Sequence, residues 1–148
     1  MATSGAASDY LEAIIMKWLG KNTQMPTPPA TVYLALYIGG VPADDGSGAT
    51  ECSAGNYTRL ALSTGTSGTG VGSTFTGPGA TDGEISNLLD ITFPMCSGAD
   101  WGDVTGWALF DSVTGGNMLV RGDVSPIAPI TVGTIFQFIA GAWLIKLD

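Results

Sequence analysis

Histidine is absent from this 148-residue chain, and that absence removes several chemistries at once. No Ser-His-Asp or Cys-His nucleophile can be assembled, and zinc sites that need imidazole are excluded. Cations are nearly as scarce, with five Lys and Arg against thirteen Asp and Glu, a net charge of −8. Nucleic-acid binding requires clustered Lys and Arg to displace counterions, and the sequence holds no such cluster. The same deficit disfavours an anionic membrane surface. Charged residues of both signs make up only 12% of the chain, about half the usual share. Something other than charge must cover the surface: Gly, Ser and Thr, or a partner.

Two cysteines, Cys52 and Cys96, cannot form a disulfide framework or a metal-ligand cluster. They read as two free, partly buried thiols, with one disulfide as the alternative. Met1–Ser8 has no basic stretch followed by an apolar one, so no secretory leader is expected. Residues Val124–Ile145 carry no charge, yet Pro126, Pro129, Gly133, Gln137 and Gly141 interrupt them. Their periodicity is that of strands, which argues against a membrane span.

What remains is a β-rich chain of one domain. Apolar residues reach 45%, which excludes disorder throughout, and 22 glycines with 8 prolines imply many turns and little helix. Residues 1–8 read as a flexible N-terminal arm, and 9–148 as a single domain. One helix is predicted over 9–20. Ser8 or Asp9 caps it, Asp9 with Glu12 fits a capping box, and Gly20 stops it. Leu11, Ile14, Ile15, Trp18 and Leu19 fall on one face, which packs either on the chain's own sheet or on a neighbouring subunit.

After the proline connector Met25–Pro29, strands are predicted at Thr31–Ile38, Tyr57–Ser63, Glu84–Asn87, Leu89–Phe93, Val104–Asp111, Asn117–Arg121, Thr134–Ile139 and Ala142–Leu147. Thr114-Gly115-Gly116 is a turn, and Ala140-Gly141 a two-residue hairpin link. Strands at this spacing, with no alternating helices, predict an antiparallel β-sandwich, jelly-roll-like, with one N-terminal helix. Two long loops separate them: an acidic one at 39–56, and a Gly/Thr/Ser-rich one at 64–83 that is long enough to expect a function or motion for it.

Candidate chemistry is thin. Carboxylate pairs such as Asp100 with Asp103, or Asp44 with Asp45, resemble a glycosidase pair only by chance of number. Asp44-Asp45-Gly46-Ser47-Gly48 lacks the alternating ligands and terminal Glu of a calcium loop. Arg121-Gly122-Asp123 spells an integrin-type triplet that arises readily by chance, and Asn56-Tyr57-Thr58 a glycosylation acceptor that needs secretion to matter. Trp101, Trp107 and Trp143 belong to a core or interface, or else form a sugar-stacking platform. No enzyme activity, cofactor or metal is expected.

A run of motifs carries a resemblance. Pro29-Ala30-Thr31-Val32-Tyr33-Leu34-Ala35-Leu36-Tyr37 precedes an acidic loop ending Tyr57-Thr58-Arg59, then Ile85-Ser86-Asn87, Ile91-Thr92-Phe93-Pro94 and Asp100-Trp101-Gly102. Val104–Asp111, Gly115-Gly116-Asn117-Met118-Leu119 and Gly141-Ala142-Trp143-Leu144-Ile145 close the series. This order resembles the small virion proteins of tailed bacteriophages commonly labelled phage tail fibre proteins, some of which serve as capsid decoration, or cement, proteins. The segment 64–83 is longer than the family's usual short turn. The resemblance implies a structural protein made in the host cytoplasm and carried on the capsid surface or, alternatively, the tail. It implies a homotrimer that binds the major capsid protein and stabilises the head, with no catalytic residues. Leu11, Ile14, Ile15, Trp18, Trp101 and Trp107 are the expected oligomer or shell interface. The alternative is an adhesion module whose 64–83 loop and Trp101 contact host glycan.

Overall fold

The computed structural model describes residues 5–63 and 84–146. The 64–83 loop and residues 1–4 of the expected arm lie outside them. Gly5–Ala7, read as part of that arm, instead form a strand, β1, antiparallel to Met118–Ile130 (β8) with Ala6 opposite Arg121. Small residues make this possible. A Cβ on Gly5 would stand 2.7 Å from the Trp107 ring, so only glycine lets the strand cross the indole.

Helix α1 spans Asp9–Lys21. Ser8 caps it, its Oγ accepting the Leu11 N–H at 3.3 Å, and ties the cap to β8 by donating to the Met118 carbonyl. Gly20 does not end the helix. Asn22 does, in the left-handed region at φ 52°, with the Thr23 N–H closing on the Lys17 carbonyl at 3.3 Å. Asn tolerates that conformation because its short polar side chain bonds locally.

Thr31–Ile38 (β2) and Gly102–Phe110 (β7) are the centre of a six-stranded antiparallel sheet in the order β1-β8-β7-β2-β3. Thr50–Glu51 (β3) and Leu60–Ser63 (β4) share the outer edge of β2, β4 beside its first half and β3 beside its second. Strand β8 runs to Ile130, well past the Arg121 limit read from sequence. Its Pro126 and Pro129 lie beyond Gly122, where none of the described residues pairs with that side of β8, and proline is tolerated where no ladder N–H is required.

Two ribbons form the second layer: Glu84–Ser86 (β5) with Leu144–Lys146 (β10), and Ile91–Thr92 (β6) with Gln137–Phe138 (β9). Ala140-Gly141 does make a tight turn, the Ala142 N–H reaching the Ile139 carbonyl at 3.0 Å with Gly141 at φ 75°. It does not make a hairpin, because β9 and β10 leave it for different partners.

Alternation along the strands sends Val32, Leu34 and Leu36 to one face, where they share a core with Trp107, Leu109, Val120 and the ribbons' Phe93, Phe136, Phe138 and Trp143. Seven rings form a continuous chain through it: Trp107, Trp143, Phe138, Phe136, Phe93, Trp101 and Tyr57, with successive centroids 4.8 to 6.0 Å apart. Edge-to-face packing predominates, as ring quadrupoles favour. The chain is therefore mainly β and antiparallel, two layers deep, with one helix among the described residues. No helix among the described residues is long and apolar enough to cross a membrane.

The opposite sheet face carries a small second cluster of Ala35, Tyr37, Ala108, Phe110 and Met118. The acidic loop lies against it. Gly106 has Gly40 and Val41 backbone at its α-carbon, and Arg121 pairs with Asp44.

Candidate assembly surface

Helix α1 carries an apolar stripe, yet none of its residues is buried. It rests on β8 and β1 through Leu11, which packs against the edge of the core. Trp18 is 53% exposed, Met16 64% and Leu19 70%. The connector returns beside it, and the two border an apolar groove of about 740 Å³ lined by Tyr10, Leu11, Ile14, Trp18, Met25 and the connector's Pro26–Pro29. Leu11, Ile14 and Ile15 are half-buried, whereas Trp18 and Leu19 at the far end of the stripe stay open to water, an exposed apolar edge that suits a further surface. Lys17 and Lys21 stand on the same helix.

The structure thus gathers Leu11, Ile14, Ile15 and Trp18 on one accessible element. It places Trp101 and Trp107 elsewhere. They are 2% and 0% exposed, inside the aromatic chain, and so available neither to a partner's surface nor to a sugar. Each fills space between the sheet and the ribbons, which is where a large indole contributes most.

Two of the carboxylates weighed as chemistry make bonds that hold the fold. Asp44 binds Arg121 Nε at 2.7 Å, and Asp100 accepts the Val132 N–H at 2.7 Å. The Arg121-Gly122-Asp123 triplet is interior to β8, not a loop tip. The acidic loop is closed on itself: Asp45 accepts the Ser47 N–H, and hydrogen bonding from the Ser47 side chain, then from its backbone N–H, holds the Asp45 carboxyl below the usual range. No group of three His, Cys, Asp or Glu among the described residues could hold a metal. Cys52 and Cys96 are both free and buried. Burial, followed by the neighbouring Glu51 charge, pushes the Cys52 thiol up to about 11.

Two polar centres escaped sequence reading. Arg59 forks onto Glu51, with Nη2 to Oε2 and Nε to Oε1 both 2.8 Å, and its Nη1 donates to the Ser112 and Gly115 carbonyls. Its guanidinium stands 3.6 Å from the Phe110 ring centre. Asn87 is 1% exposed and bonds three backbone segments. The signal for Arg59 was present, since a lone cation amid an acidic run implies a partner.

A second exposed apolar area lies on the outer face of the β6–β9 ribbon. Ile135 and Ile139 flank Gln137 there, 49% and 58% exposed, and Leu89 beside them is 67% exposed. Asp90 borders it, accepting from Gln137 Nε2 and from the Ala140 N–H.

No curated protein matches the chain. The family model for Podophage GP4 fiber I protein gp80 matches residues 6–146. That span covers all but the first residue of β1, then α1, the rest of the sheet and both ribbons, so the helix belongs to the shared body of a phage fibre protein. The chain is a member of the Podophage GP4 fiber I protein gp80 family.

Proposed function

We propose that this chain is a non-catalytic, self-associating building block of a phage fibre, with α1 as its assembly face. One observation carries the reading: a 13-residue helix with an apolar stripe and no buried residue, on a body whose other secondary structure is packed. The fibre family supplies the setting. Symmetric homo-oligomers are the usual outcome for such proteins, and a trimer fits a fibre.

Sedimentation of the purified chain tests this. The wild type sediments as an oligomer, and Leu19→Glu, at the most exposed stripe position, shifts it to monomer without lowering its melting temperature. An oligomer indifferent to Leu19→Glu refutes α1 as the assembly face.

A second reading, a trimeric cement protein seated on the major capsid protein, draws support from the compact two-layer body, which has no extended shaft among the described residues. Copy number in purified particles separates the two. A few copies fit a tail-borne fibre, and numbers near those of the shell protein fit decoration. Glycan contact, if the fibre makes it, falls to surfaces other than Trp101 and Trp107.

A further inference from the structure

The proposed self-association does not specify which surface of a second copy receives α1. Charge narrows the choice. Two copies of a chain with net charge −8 repel each other, and a contact that brings cations to carboxylates lessens that repulsion. Of the five cations, Arg59 and Arg121 are committed to Glu51 and Asp44, and Lys146 lies in register with Glu84 on the β5–β10 ribbon. Among the described residues Lys17 and Lys21 remain without a carboxylate partner, and both are on α1.

An antiparallel two-fold pairing of α1 with α1 does not use them. At 3.6 residues per turn, Lys17 and Lys21 fall on the Tyr10 side of the stripe and Glu12 on the opposite side with Leu19. An antiparallel two-fold contact opposes each flank to its own copy, so lysine would meet lysine.

The outer face of the β6–β9 ribbon has the matching character. Period-two alternation puts Ile135, Gln137 and Ile139 on one side, while Phe136 and Phe138 point into the core. Asp90 sits at one end of this face. Asp100 accepts the Val132 N–H of the turn that precedes Ile135. The area is apolar, acid-bordered and on a different element from α1.

We infer that α1 of one copy docks on the outer face of the β6–β9 ribbon of a second copy, head to tail. The inference rests on the self-association proposed above and adds its geometry. The contact is heterologous: each copy gives one surface and receives on another. Such contacts close into rings or extend into filaments, and they do not stop at a two-fold dimer.

Two complementary variants test it. Leu19→Glu disables the helix surface, and Ile139→Arg disables the ribbon surface while sparing the Ile139 carbonyl that Asn87 uses. Each variant alone is expected to sediment as monomer, its association weakened by about tenfold or more. Mixed one to one, they form a dimer and nothing larger, because the intact helix of Ile139→Arg meets the intact ribbon of Leu19→Glu. Unchanged melting temperatures confirm that both variants fold. Assembly of Ile139→Arg like the wild type, or a mixture that stays monomeric, overturns the head-to-tail contact and leaves self-association standing. A monomeric wild type at high concentration overturns self-association itself.

Discussion

The side-chain oxygen of Asn87 accepts the Trp143 backbone N–H at 3.0 Å, and the Trp143 carbonyl accepts the Asn87 backbone N–H at 3.3 Å. The Asn87 amide also donates to the Leu89 and Ile139 carbonyls, both at 2.9 Å. One buried side chain therefore holds the place where β5 leads toward β6 and where β9 hands over to β10. Asn87→Ala strands a buried N–H and two carbonyls, some of which water can reach beside exposed Leu89 and Ile139. The expected cost is about 3 kcal/mol, read as a lower urea midpoint with unchanged slope. A loss below roughly 1 kcal/mol would mean that the crossing holds without its amide.

Arg59 joins β3, the approach to β4 and the β7–β8 turn through one guanidinium. Its side chain is 7% exposed and that of Glu51 28%. Arg59→Ala leaves the Glu51 charge half-buried without its fork and uncovers Phe110, at an expected cost of about 3 kcal/mol. Arg59→Lys keeps the charge but loses the planar fork and one or both carbonyl partners, so it falls between the two. Chemical denaturation of the three proteins gives the order wild type, Lys, Ala. Equal losses for Lys and Ala would show that the fork geometry carries the effect and charge contributes little.

Much of this architecture was legible in local pattern. Thr31–Ile38 alternates strictly and is β2 to the residue, because a central strand with two differently packed faces needs that alternation. Trp101 and Trp107 misled because an indole reads alike in a core and at an interface. Only the ribbons, brought over the sheet by long-range pairing, decide between the two. The β9–β10 turn was visible in Ala140-Gly141, but the divergence of its strands depends on Asn87, more than 50 residues away. Gly5–Ala7 carries too little side chain to signal a strand; its place follows from Trp107 and the β8 edge. The open stripe of α1 was legible as a stripe, and its exposure was not, since that depends on what the connector leaves uncovered.

Glycine serves two different purposes here, and alanine substitution separates them. At Gly106 a Cβ would stand 2.9 Å from the Gly40 carbonyl oxygen and 3.0 Å from Val41 Cα, both backbone atoms that cannot swing aside. Gly106→Ala must lift the acidic loop from β7, at about 2–3 kcal/mol. At Gly133 there is open space, but φ is +89°, so Gly133→Ala meets only backbone strain of about 1 kcal/mol. Thermal melts should show the Gly106 variant falling roughly two to three times as far. The reverse order would mean that the loop is not seated on the sheet.

Stability should fall at alkaline pH, and the sign follows from Cys52 and Tyr37. The Cys52 thiol, ordinarily near 9.0, is pushed up to about 11 by burial and then by the Glu51 charge. Tyr37, ordinarily 10.0, rises to about 12 for the same two reasons, against an opposing pull from Arg59. Tyr57 shifts upward as well, chiefly by burial. The folded chain therefore keeps protons that the unfolded chain releases. Stability is fully present below about pH 9, where both states are protonated, and declines from there toward pH 12. Melting temperatures across pH 7 to 12 should be level at first and then drop. In Cys52→Ala the decline should start about one unit later, where the tyrosines of the unfolded chain begin to ionise. An unchanged onset in that variant would show that the thiol contributes nothing and that it ionises as freely in the folded chain as in the unfolded one.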